Sequence, residues 1–356
     1  MQGRLHFLDA LRGAALVLMV LNHTSHDWID RTMGWPRYYL TYGTLLLPAP
    51  IFLFLVGFCL PISVHRIPTR ERFAGAVVKY FRRGIVIIAA GFLLNLIVWT
   101  EAGVISGGVL QTIGLGIVLL GPAMPLLRSR GGRWALLTLA ALLYLSFAWS
   151  FDSLVRVSSA YPLLARLLFN DFPPWPWIAA ALVGLVLGWV WLDARSQGPD
   201  DEARYFTRVA LVSVLALAAC VAWEWWRPST PPFGFPRDFI LNNHWTPRGA
   251  TLLFIAGGVG GLLVSAWRLM ERGAWRLPWL VTLGLTALML YFTHQLIERT
   301  LVQQLLHVKL NDWILFATAN LALLIVCVYL GRGWLELKRW ARDLVAARGW
   351  ITPAER

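Results

Sequence analysis

The stretch RLHFLDALRGAALVLMVLNHTSHD, residues 4–27, is an apolar run of membrane-spanning length with Asp9 and Arg12 near one end and Asn22, His23, His26 and Asp27 near the other. An ionisable side chain at the centre of a bilayer costs ~2.5–3.5 kcal/mol on insertion scales, so such residues face the interior of a helix bundle and mark ion pairs, relays or substrate sites. At about 100° per residue, Asp9, Arg12, Leu16, Met19 and His23 fall within about 80° of one another, on one face. Asp9 and His23 are separated by roughly 21 Å of helical rise, so the stripe reaches from one side of a membrane towards the other.

The rest of the chain has the same character. Of its 356 residues 58% are hydrophobic and 14% charged, with a mean hydropathy of +0.59, which excludes a soluble domain. Apolar runs long enough for a core of about 30 Å occur near 8–26, 43–64, 83–100, 108–127, 134–150, 175–192, 206–226, 249–267, 277–297 and 313–331. The expectation is an all-α polytopic bundle of ten spans: a transmembrane domain over 1–335 and a basic cytoplasmic tail over 336–356.

Charge placement orients the bundle. With ten spans, 23 of the 32 Lys and Arg residues fall on the side of the two termini, including Arg66, Arg70, Arg72, Lys79, Arg82, Arg83, Arg128, Arg130 and Arg133. The positive-inside rule makes that side cytoplasmic, so the net charge of +13 needs no nucleic-acid partner. Tryptophans gather at span ends (Trp28, Trp99, Trp134, Trp175, Trp177, Trp267), as in an aromatic belt. Cys59, Cys220 and Cys327 each sit in an apolar run without a C-x-x-C or His-rich neighbourhood, so neither a disulfide framework nor a metal site is expected. After one early cation, Arg4, come Asp9 and Arg12 where a signal peptide would be uncharged, and no small-x-small site follows the run, which reads as a retained first helix. The longer connections, 27–42, 152–174 and 227–248, are extracytoplasmic and are the natural roof of a pocket for an external substrate.

Three polar clusters carry the chemistry. In the first, His23 and His26 sit beside Asp27, and a carboxylate next to an imidazole orients a general base; Asp9 and Arg12 read equally as a structural ion pair or as part of a site. The second is basic: His65, Arg66, Arg70, Arg72, Lys79, Arg82 and Arg83 offer polyphosphate contacts as well as positive-inside retention. Asn95 and Gln111, in a Gly-rich neighbourhood, default to bridging helices. The third, Tyr291, His294, Gln295 and Glu298, forms one face at i, i+3, i+4 and i+7 and brings a second intramembrane histidine to the depth of His23.

The opening R-L-x-x-L-D-A-L-R-G-x-A-x-V-L-M-V-L-x-H, A-P-I-F-L-F-L-V-G (49–57), R-R-G with G-F-L-L-N (82–95) and G-V-L-Q-T-I-G-L (108–115) resemble the heparan-alpha-glucosaminide N-acetyltransferase catalytic-domain family of the transmembrane acyltransferase superfamily. F-P-P-W-P-W (172–177), P-R-G (247–249) and L-M-L-Y-F-T-H (288–294) follow in family order, so the resemblance runs from about residue 4 to 301. It implies an integral-membrane enzyme, here of a bacterial inner membrane, moving an acetyl group from cytoplasmic acetyl-CoA to an amine or hydroxyl of an external sugar or glycoconjugate. His23, His26, Asp27 and His294 would be catalytic, with the choice between His23 and His26 as base open. Asp9, Arg12, Arg82, Arg83, Asn95 and Gln111 would serve the acyl-CoA, with no metal. Two positions depart from the family: Asn22 stands where many bacterial members have Asp, and Thr112 where relatives have Arg. Membrane lipid is the partner the composition itself requires, and an oligomer is compatible with the sequence. The rival reading is a proton-coupled transporter or lipid flippase using the histidines as a relay, although such proteins often carry repeat symmetry that this chain lacks.

Overall fold

The computed structural model describes residues 4–30, 33, 47–64, 70–169, 172–226, 250–273 and 275–347. His65, Arg66, most of the 27–42 connection, the 227–248 connection and the last nine residues lie outside them, as do the side chains of Arg70 and Arg72.

Among the described residues the chain is helical almost throughout, without a β-strand. The helices are α1 (His6–Asp27), α2 (Pro48–Val64), α3 (Arg70–Ile97), α4 (Val109–Ala123), α5 (Arg130–Ala160), α6 (Pro162–Phe169), α7 (Pro174–Gln197), α8 (Pro199–Trp226), α9 (Ala250–Trp267), α10 (Pro278–Leu285), α11 (Ala287–Gln295) and α12 (Trp313–Ala347). Seven helices among the described residues are long and apolar enough to cross a membrane; α10 with α11 and its continuation, bent by 84°, makes an eighth if the pair is one span. The helical segment α8 shows why hydrocarbon is required: only 11% of its apolar window is buried, and Leu211, Val212, Val214 and Val221 are all exposed. Such a surface is stable against acyl chains and not against water. α12 is 35 residues long, roughly 52 Å, so it outruns a core of about 30 Å and runs without interruption through position 336.

The chain forms two compact units, residues 46–265 and residues 1–45 with 266–356. In the larger, helices cross where glycines let backbones touch. A Cβ at Gly57 would collide with the Ala181 carbonyl, and one at Gly184 or Gly188 with the carbonyls of Phe54 or Phe58, so α2 and α7 pack through a Gly-xxx-Gly face. Beside them Leu60, Leu120, Met124, Leu182 and Leu185 form a closed apolar cluster.

The smaller unit is built on α1. Its N-terminal half crosses α10, with Gly13 against the Leu280 carbonyl and Gly284 against that of Asp9. Pro278 opens α10 at a position where a missing N–H costs nothing. The ninth apolar run is therefore not the straight span its hydropathy suggests: it turns at Thr286, whose hydroxyl donates to the Thr282 carbonyl at 2.7 Å, resumes as α11 and widens into a π-helix over Leu296–Leu305. A Gly284→Ala variant is expected to lose about 1–3 kcal/mol, the cost of overpacking a backbone contact, read as a lowered melting temperature in detergent.

Candidate functional site

At the N-terminal end of α1, Asp9 is 4% exposed and both its oxygens are taken: Oδ1 accepts from Arg12 Nη1 at 2.7 Å and Oδ2 from Arg4 Nε at 2.8 Å. A carboxylate in the first turn also meets the positive end of the helix dipole.

The other end carries two imidazole pairs. His23 Nδ1 lies 3.2 Å from His294 Nε2, and His294 Nδ1 lies 2.6 Å from the Leu290 carbonyl one turn earlier on α11. A carbonyl only accepts, so His294 Nδ1 carries the hydrogen. With both rings neutral, His294 Nε2 accepts from His23 Nδ1–H, and His23 Nε2 is left as the lone-pair nitrogen. His26 Nδ1 lies 2.7 Å from Asp27 Oδ1, and the same logic makes His26 Nε2 a basic nitrogen, here backed by a carboxylate. The pairs differ in setting: His294 is fully buried, while the His26 side chain is 33% exposed.

Asp27 is the hub of this end. Arg299 Nη1 lies 3.8 Å from its second oxygen, the Glu298 carboxyl faces it, and Lys309 donates to its backbone carbonyl. Trp28 Nε1 donates to the Glu298 carbonyl at 3.1 Å, and Trp28 and Asp30 exchange backbone bonds with Leu310. Thr24 Oγ1 lies 2.6 Å from Asn320 Oδ1, tying α1 to α12. Both histidine pairs are thus held from the α11 continuation and α12. Tyr291 stacks edge-on against His294 at 6.0 Å. Of these supports, Arg299 and Lys309 read in the sequence only as external topology charges and Asn320 carried no signal.

The remaining candidates lie in the larger unit. Asn95 Nδ2 and Gln111 Nε2 both donate to the Ser106 carbonyl, at 2.8 and 3.0 Å, and so clamp the 98–108 connection. The Gln111 amide lies over Gly91, where a Cβ would meet it at 2.6 Å. Thr112 is fully buried and donates to the Phe172 carbonyl, the start of the F-P-P-W-P-W motif. Arg82 and Arg83 stand exposed on α3. Among the described residues no group of three or more His, Cys, Asp or Glu side chains is placed to hold a metal ion.

Comparison with protein families matches residues 4–219 to heparan-alpha-glucosaminide N-acetyltransferase, catalytic, more than half of the chain. The chain belongs to this family. A search among curated proteins returns no match. Membership points to a transferase of membrane acetyltransferase type with acetyl-CoA as the family's general co-substrate, and it agrees with the apolar helices in describing an integral membrane protein.

Proposed function

We propose that this protein transfers an acetyl group from cytoplasmic acetyl-CoA to an amine or hydroxyl of a sugar or glycoconjugate on the far side of a bacterial inner membrane, with ten spans and cytoplasmic termini. The observation that carries the reading is His26 paired with Asp27 at 2.7 Å, at the opposite end of α1 from the Asp9–Arg12 pair.

The base is His26. Its Nε2 takes the proton from the acceptor nitrogen or oxygen as that atom bonds to the acetyl carbonyl carbon, and Asp27 stabilises the imidazolium as it forms. Collapse of the tetrahedral intermediate breaks the carbon–sulfur bond, and the proton held on His26 passes to the departing sulfur, so that free CoA thiol and acetylated acceptor leave. His23, oriented by His294, presents a second lone-pair nitrogen, and its chain of hydrogen bonds ends on a neutral carbonyl, which stabilises developing positive charge less than a carboxylate does. Arg82 and Arg83 are assigned to the donor's phosphates. Asn95 and Gln111 serve the donor through the Ser106 segment they hold, and Arg12, engaged with Asp9, serves first to seat α1.

The test against the transporter reading is donor binding. Acetyl-CoA at about 100 times its Kd is expected to stabilise the folded protein by about 2.7 kcal/mol, measured as a shift in melting temperature in detergent. A folded protein whose melting is indifferent to acetyl-CoA and CoA returns the histidines to a proton relay.

A further inference from the structure

One buried group at this end of α1 has no role in the transfer described. Glu298 lies in the π-helical continuation of α11, is 1% exposed, and among the described residues its Oε1 is buried without a hydrogen-bond partner. Burying a carboxyl group costs several kcal/mol unless its lone pairs are met. Here the other contacts are made elsewhere on the residue: its backbone carbonyl accepts the Trp28 indole N–H, and its carboxyl faces Asp27, with Arg299 next to it in sequence. The remaining oxygen is an acceptor waiting for a donor hydrogen.

The chemistry of the neighbourhood narrows what supplies it. Asp27 and Glu298 are offset by Arg299 and Lys309, so the region has no excess charge to select an ammonium, and a carboxyl oxygen that only accepts has no hydrogen to offer a phosphate or carboxylate ligand. A neutral O–H donor remains. The π-helix contributes to the geometry: it is a widened turn, common at functional sites, that redirects a side chain without breaking the helix.

We infer that Glu298 Oε1 is a binding point for a hydroxyl group of a neutral sugar ring, fixing the acceptor beside the His26–Asp27 pair. The inference rests on the acyltransferase reading for the identity of the occupant as acceptor, and on Glu298 alone for the contact. Glu298 is then a residue of acceptor affinity, separate from the base.

Calorimetric titration of the full-length protein in detergent with D-glucose and its β1→4-linked oligomers tests it, with CoA titrated in parallel as a check of the fold. Wild type is expected to bind at least one of these sugars. Glu298→Gln, which keeps an acceptor oxygen of the same reach, is expected to stay within about threefold of wild type, and Glu298→Met to weaken sugar by about tenfold or more, while CoA affinity is unchanged in both. Sugar affinity equal in Glu298→Met and wild type overturns the inference, as does wild type that binds none of these sugars, or a variant in which sugar and CoA affinity fall together. Sugar binding that follows Glu298 in a protein unable to transfer acetyl supports the contact and overturns the acyltransferase reading alone.

Discussion

His26→Ala lowers kcat for acetyl transfer by ~10²- to 10⁴-fold and leaves acetyl-CoA affinity within about threefold of wild type, the loss typical of removing a positioned general base. Asp27→Asn produces a loss of the same order by a different route. An asparagine amide turned towards His26 Nδ1 donates a hydrogen, which places the ring's own hydrogen on Nε2 and removes the lone pair that the acceptor needs. The size of the Asp27→Asn effect therefore distinguishes a carboxylate that sets the tautomer from one that merely packs. His23→Ala is expected to cost less than either, because His23 is backed through His294 by a carbonyl. A larger loss in His23→Ala than in His26→Ala would move the base to His23. Incubation with acetyl-labelled CoA and no acceptor completes the assignment: direct transfer leaves no label on the protein, whereas label retained by wild type and lost in His23→Ala identifies an acetyl-imidazole on His23.

What the sequence made legible divides along a physical line. Local periodicity is written in the chain, so the apolar runs became helices, and the polar stripe of α1 could be placed on one face from the 100° rotation alone. His294 was visible because an ionisable ring in an apolar run is costly enough to demand a reason. The bend at Thr286 was not visible: LGLTALML contains no proline, and the break coincides with the tight seat of Gly284 against the Asp9 carbonyl, a contact between segments far apart in sequence. The supports of the histidine end were hidden for the same reason. Lys309 reaches the Asp27 carbonyl, and Asn320 reaches Thr24, only after the α11 continuation and α12 have been placed; neither partnership has a spacing in the sequence. Asn95 and Gln111 illustrate the converse. Their residue type was compatible with helix bridging or ligand binding, and convergence on one backbone carbonyl, that of Ser106, is a tertiary fact.

The N-terminal end of α1 yields the second large effect, and it turns on an asymmetry between charges. Asp9 is buried, whereas the side chains of Arg12 and Arg4 are 30% and 59% exposed. Removing both guanidiniums in an Arg4→Ala, Arg12→Ala double variant strands the buried carboxylate, a change that costs about 3–5 kcal/mol. Asp9→Ala instead frees two cations that can rehydrate, and its cost is expected to be nearer that of a surface pair, about 0–1 kcal/mol plus the packing lost. The double variant should thus melt well below wild type and Asp9→Ala only slightly so, whereas equal sharing of the pair energy would make the two losses the same. Donor binding separates the two readings of Arg12. If the guanidinium is committed to Asp9, Arg12→Ala changes acetyl-CoA affinity by less than about threefold, while Arg82→Ala or Arg83→Ala weakens it about tenfold at unchanged stability, as the loss of a charge-assisted phosphate contact requires. A tenfold loss of acetyl-CoA affinity in Arg12→Ala without a lowered melting temperature would instead put the donor's phosphates at the mouth of α1 and make Asp9 the residue that aims Arg12 at them.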